Sequence, residues 1–174
     1  MPSIEPKVGV INTFRNQKTE IQFAIGEFVD NSIDSYFKNK EELEELIPSF
    51  KPYIDITFDT DENMIVVEDN CAGIHKEDEE RAFSIGEQNP NSIDIGTYGM
   101  GMKVSAFWFS PQWDVVTKPM NENCEKTFSI ELEDILITGK TKDKVVESDS
   151  DPFTRITLKD VYAGRLPVDT KKLA

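Results

Sequence analysis

Three short stretches hold residue types whose spacing suits chemistry. In GEFVDNSIDSYF (26–37), Glu27, Asn31 and Asp34 recur at offsets of four and seven. On a helix those offsets place all three within roughly 60° of one face, beside the apolar stripe through Phe28 and Val29. Such groups at the edge of a core are costly to bury unless they bind something. Carboxylate and amide oxygens together suit Mg²⁺, which prefers hard oxygen donors and keeps several waters. A solvated face of an amphipathic helix accounts for the same spacing equally well.

The second stretch is VEDNCAGI (67–74). Asp69 ends an apolar strand and is followed by small residues, so it can offer a carboxylate to a base edge while the backbone approaches closely. The same residues also make an ordinary β-turn. The third stretch, GTYGMGMK (96–103), opens a helix with glycines and a lysine. Free N–H groups at a helix start attract phosphate, and Lys103 adds charge. The stretch lacks the Lys-Ser/Thr ending of a Walker loop, and no strand directly precedes it.

Hydrophobic periodicity supplies the elements that must position these groups. The spacing of Ile21, Ala24, Ile25, Phe28, Ile33, Tyr36 and Phe37 predicts a helix over 18–39. A second acidic helical piece, KEELEELI (40–47), ends before Pro48, and its charges read as a solvated face. Alternation predicts a hairpin of strands 52–59 and 64–69 around the turn 59–63. A short helix is expected over 76–83, a loop over 84–98, and a helix from near Gly99 through Phe107. Strands are expected at 113–118, 126–132 and 153–158, with a polar loop over 139–151. Trp108, Phe109 and Trp113 read as core or as a docking surface rather than as a platform for stacked bases. His75 reads as a surface residue. Strands and helices mix without regular alternation, which points to an α+β fold with helices on one face of the sheet. Residues 1–174 form one domain on this reading, with no internal repeat or linker.

Charge narrows the partners. Nineteen basic against 33 acidic side chains leave −14, and residues 41–94 alone hold sixteen acids and three bases. So acidic a surface repels phosphate backbones and anionic lipid, so direct nucleic-acid binding by this domain is not expected, although DNA can act through other regions or subunits. No stretch approaches the ~20 apolar residues of a membrane span, and MPSIEPKVGV lacks the pattern of a secretory signal. The expected compartment is cytoplasmic, or nuclear in a eukaryote, with Cys71 and Cys124 as reduced thiols. One histidine, with no paired Cys or His spacing, argues against zinc.

The order of these motifs resembles the ATP-binding domain of the GHKL superfamily, which includes gyrase B subunits, large heat-shock chaperones, MutL proteins and sensor histidine kinases. EFVDNSID has the Glu-x-x-x-Asn-x-x-Asp spacing of gyrase and MutL members. AFSIGE (82–87) paired with GTYGMGMK looks most like the microrchidia-type branch, and FTRITL (153–158) resembles the last family motif. The resemblance spans about residues 20–160. It implies a two-layer Bergerat-type fold, with a mixed, mostly antiparallel sheet and helices on one face, forming the N-terminal part of a larger functional unit.

On that resemblance Glu27 would be the general base, Asn31 would hold Mg²⁺, and Asp34 would support the site. Asp69 would accept a hydrogen bond from the adenine amino group, with Thr154 behind it through water. Gly99 and Gly101 would offer backbone donors to the phosphates, and Lys103 would be a phosphate partner. Gly73, Ile74, Gly86, Gly96, Tyr98, Met100 and Met102 complete the expected nucleotide contacts, and residues 84–98 would form a lid. Cys71 stands where the family has its first turn glycine, and Phe153 where it has a glycine before the late threonine. The implied activity is slow Mg²⁺-dependent ATP hydrolysis, with lid closure driving conformational change or homodimerisation. The alternatives are a non-hydrolysing, nucleotide-responsive interaction module and, more remotely, a histidine-type protein kinase domain.

Overall fold

The computed structural model describes residues 13–83 and 100–167, with nothing assigned to the side chain of Met100. Six strands form one sheet: β1 (Ile54–Asp59), β2 (Met64–Asp69), β3 (Gln112–Lys118), β4 (Cys124–Glu131), β5 (Lys142–Glu147) and β6 (Phe153–Lys159). Their order is β1-β2-β6-β3-β4-β5, and every described pairing is antiparallel. Among the described residues, helices α1 (Ile21–Leu46), α2 (Lys76–Phe83), α3 (Met100–Phe109) and α4 (Leu132–Thr138) accompany the sheet, and residues 13–15 are helical as well.

Strand register explains where the core ends and the site begins. Residues directly opposite one another share a face of the sheet. One row across the four central strands is Ile65, Leu158, Trp113 and Ile130, and the next is Val67, Ile156, Val115 and Phe128. All eight are buried, and they form one cluster with Ala24, Ile25 and Phe28 of α1 and Ala106 and Phe107 of α3. The third row on the same face turns polar: Asp69, Thr154, Thr117 and Lys126. The core therefore gives way to a line of hydrogen-bonding groups within one pleat repeat.

α1 buries Ala24, Ile25, Phe28, Ser32 and Leu43, and it leaves helical geometry only at Asn39. There the Asn39 side-chain amide donates to the Ser35 carbonyl at 2.8 Å, the kind of local bond that competes with the helical ladder. The two helical pieces expected over 18–39 and 40–47 thus join across a kink at their predicted junction. α3 carries Lys103 as its one charged residue and is buried on nearly all sides, as an apolar helix must be. Trp108, Phe109 and Trp113 are core residues.

One expected loop contains a strand. The stretch 139–151 is not a loop throughout, because Lys142–Glu147 is the edge strand β5. All six of its residues are exposed, so no inward-facing apolar period marks it. The strand expected over 126–132 ends at Glu131, where Leu132 begins α4.

Candidate functional site

Between α1, α2 and the polar row lies a cavity of about 430 Å³, within the range of small-molecule pockets. Its wall includes Phe28, Asn31, Ser32 and Ser35 from α1, Gly73 and Ile74 from the turn after β2, Met102 from α3, and Asp69, Thr154 and Ile156 from the sheet. Charged residues of α1 and α2, among them Lys38, Glu42, Asp78 and Arg81, surround the same space together with His75. His75 is half-buried there, rather than the surface residue expected.

Asp69 is the buried acid of this cavity. Ser32 Oγ donates to its Oδ2 at 2.6 Å, and the Cys71 backbone N–H donates to Oδ1 at 2.8 Å. Burial raises the Asp69 pKa above the ordinary carboxylate value, while these two donors work in the opposite direction. The carboxylate is thus fixed in orientation before any ligand arrives. Burial and the neighbouring Asp69 push the Cys71 thiol up to about 12, so it stays protonated near neutral pH. Cys71 is buried without a positive φ and lies outside the cavity wall, so the turn accommodates it where a glycine was expected.

The turn that follows is held from several sides. Asn70 accepts from Tyr53 N–H at 2.8 Å and donates to the Lys51 carbonyl at 2.9 Å. Met120 N–H donates to the Ala72 carbonyl at 2.8 Å, and Ile74 N–H donates to Thr117 Oγ1 at 2.9 Å. Gly73 has a φ of 72°, and a Cβ there would lie 2.4 Å from the Lys118 carbonyl oxygen. Both facts demand glycine.

α2 closes one side. Its first N–H, from Lys76, donates to Glu122 at 3.0 Å. Lys126, at the end of the polar row, pairs with Glu79 and Glu122, each at 2.5 Å. Phe83 stacks on Phe128 with ring centroids 4.1 Å apart.

The α1–α3 edge is built differently. Asn31 is half-buried in the cavity wall, whereas Glu27 and Asp34 are exposed and outside it. The expected common face therefore divides: one member lines the cavity and two flank it. Glu27 lies against the first turn of α3, where a Cβ on Gly101 would come within 1.9 Å of its Oε2. Lys103 is buried and donates to the Arg81 carbonyl in the last turn of α2 at 3.1 Å, rather than lining the cavity. Desolvation lowers its pKa to about 8. Gly86, Gly96, Tyr98, Gly99 and the expected lid 84–98 lie outside the described residues, as does the Met100 side chain.

The cavity thus lies between the Asn-bearing helix α1 and the aspartate at the end of β2. The model of the histidine kinase-, DNA gyrase B- and HSP90-like ATPase family matches residues 19–159. The chain belongs to this family. No curated protein matches it. Membership in this ATPase family supports ATP binding by the chain and agrees with the α+β fold described above. Among the described residues, no helix is long and apolar enough to cross a membrane.

Two buried residues escaped the motif reading, Ser32 in the cavity wall and Thr117 behind it. Ser32 is a polar residue four positions after Phe28 on the buried stripe of α1. Thr117 is the last inward position of the alternating run Trp113, Val115, Thr117. Each is visible in the sequence as a polar residue at an apolar phase, a signal that points to a buried hydrogen bond.

Proposed function

We propose that the domain binds ATP with Mg²⁺ in the cavity and hydrolyses it slowly. The observation that carries this reading is the arrangement along α1. Ser32 fixes the buried Asp69 at 2.6 Å, Asn31 lines the same wall, and Glu27 lies one helical turn before Asn31. Asp69 accepts the hydrogen bond of an adenine amino group, with Thr154 beside it on the neighbouring strand.

The donor set suits Mg²⁺ rather than a metal in a protein cage. Asn31 offers one amide oxygen, and no group of three metal-ligating side chains occurs among the described residues. A hard cation that keeps its waters and binds chiefly to phosphate fits such a sparse site. When bound, Mg²⁺ supplies charge neutralisation to the polyphosphate, and Asn31 would hold it. Glu27 orients the attacking water and takes its proton, because phosphoryl transfer to water depends mainly on positioning and electrostatics. Asp34, exposed on the following turn, acts through the local field rather than by contact. Gly99, Met100, Gly101 and Lys103 serve the phosphates, with Gly86, Gly96 and Tyr98 in the closing segment.

Closure of residues 84–98 over nucleotide, driving homodimerisation, completes the proposal, with the microrchidia-type branch as the relationship favoured by AFSIGE and GTYGMGMK. Steady-state phosphate release from wild type and Glu27→Ala tests the chemistry. Loss of Mg²⁺-dependent turnover in the variant is expected, and equal rates remove Glu27 from the mechanism.

The position of Lys103 favours a second reading. Its ammonium is engaged by the Arg81 carbonyl, which suits a module that senses nucleotide without turning it over. Dimer formation with a non-hydrolysable analogue, but no turnover in a longer chain, selects that reading.

A further inference from the structure

The hydroxyl of Thr117 lies behind the cavity wall rather than in it, and its surroundings fix where its proton goes. Thr117 is completely buried. The Ile74 N–H at 2.9 Å can only donate to Thr117 Oγ1, and the Phe153 carbonyl at 3.0 Å can only accept from it. The third neighbour, Thr154 Oγ1 at 3.3 Å, can do either. A threonine hydroxyl has one proton and two acceptor positions. With its proton committed to Phe153, Thr117 accepts from Ile74 and from the Thr154 hydroxyl. The Thr154 proton then points back into the sheet, and its lone pairs face the cavity that Thr154 lines.

Thr154 stands directly opposite Asp69 across the β2–β6 ladder. The Asp69 carboxylate receives the Ser32 hydroxyl and the Cys71 N–H, which hold it as an acceptor as well. The floor therefore offers acceptors on two adjacent strands and no side-chain hydroxyl proton. From this we infer that Thr117 sets the hydrogen-bond polarity of the cavity floor, so that the site selects a purine with a donor at its six-position over one with an acceptor there. The inference rests on the nucleotide reading above and adds a positioning residue that never touches the ligand.

Removing the Thr117 hydroxyl has two separable effects. Loss of the Ile74 anchor weakens all nucleotides alike. Release of the Thr154 proton specifically helps a six-oxo base, so the ratio of affinities reports polarity. Calorimetric titration of Mg²⁺-ATP and Mg²⁺-ITP, which differ in amino versus oxo at this position, measures that ratio. Wild type is expected to prefer ATP. Thr117→Val should lower the ATP:ITP preference about fivefold, the size of one net hydrogen bond, whereas Thr117→Ser should retain it. In a Thr154→Val background, Thr117→Val should cause no further change in the ratio, since the two hydroxyls act as one unit.

An unchanged ratio in Thr117→Val, or the same drop with and without Thr154, overturns the inference while leaving the nucleotide reading intact. If Thr117→Val does not fold, Thr154→Val alone must lower the ratio, and failure to do so is equally decisive. Wild type that binds neither nucleotide overturns the nucleotide reading and this inference together.

Discussion

Gly73 and Gly101 both leave no room for a methyl group, and the obstacle differs. At Gly73 it is backbone: the Lys118 carbonyl at 2.4 Å, compounded by a φ of 72°. At Gly101 it is the Glu27 carboxylate, the far end of a flexible side chain, at 1.9 Å. One end of the site is therefore set by the sheet and its turns, and the other by how a single side chain lies on a helix. The first arrangement suits recognition, which needs fixed acceptors. The second suits a group that meets water and moves a proton.

Substitutions at the two glycines should separate along that line. Gly73→Ala must force a left-handed residue and a backbone collision, and should cost about 3 kcal/mol of stability. Thermal or urea unfolding would show it, and a variant as stable as wild type would mean the turn is not fixed as described. Gly101→Ala needs only Glu27 to swing aside. It should leave the fold intact and change ATP affinity little, yet lower turnover roughly tenfold to a hundredfold through misplacement of the base. Added Glu27→Asp, which shortens the side chain, should restore part of that loss. An equal fall in affinity and rate would instead mean that the added methyl disturbs the Gly101 backbone donor to the phosphates rather than the placement of Glu27.

The recognition end can be loosened more gently. Ser32→Ala removes a donor that favours the ionised form of Asp69, so ATP affinity near neutral pH should fall about fivefold. The pH profile gives a second readout. Binding needs the ionised carboxylate, so affinity is full above the Asp69 pKa and is lost as pH falls through it. Burial has already raised that pKa. Losing Ser32 raises it further and moves the loss of binding to higher pH. A profile that does not move in Ser32→Ala would separate Ser32 from the Asp69 carboxylate.

The difference between the two ends also governed what could be read from sequence. The hairpin, the last strand and α2 follow from apolar alternation and turn residues, and β2 and α2 fall on their expected ranges. Asp69 was legible as the acid at the end of an apolar strand, whereas Gly73, Ile74 and Thr154 were expected only from the family resemblance; all four line one cavity. β5 was illegible because an exposed edge strand needs no apolar face. Helical spacing placed Glu27, Asn31 and Asp34 together but could not say which of them would face a cavity, since packing by α3 and the sheet sets the rotation of α1. Lys103 illustrates the same limit. A lysine in a Gly-rich helix start suggests phosphate, and nothing local in sequence foretells that its ammonium meets a carbonyl of α2.

The acidic block finds its place as well. It runs through the second half of α1, the β1–β2 hairpin and α2, and part of it is structural. Glu79 and Glu122, the latter from outside the block, hold Lys126 at the end of the polar row.

The central claim is that the cavity binds ATP through the Asp69 carboxylate, and calorimetric titration of Mg²⁺-ATP into wild type and Asp69→Asn tests it most directly. The amide replaces an ionised acceptor at a site lined by acceptors, so affinity should fall on the order of a hundredfold, equivalent to about 2.7 kcal/mol, while the fold survives. Equal affinity in the two proteins would contradict the account.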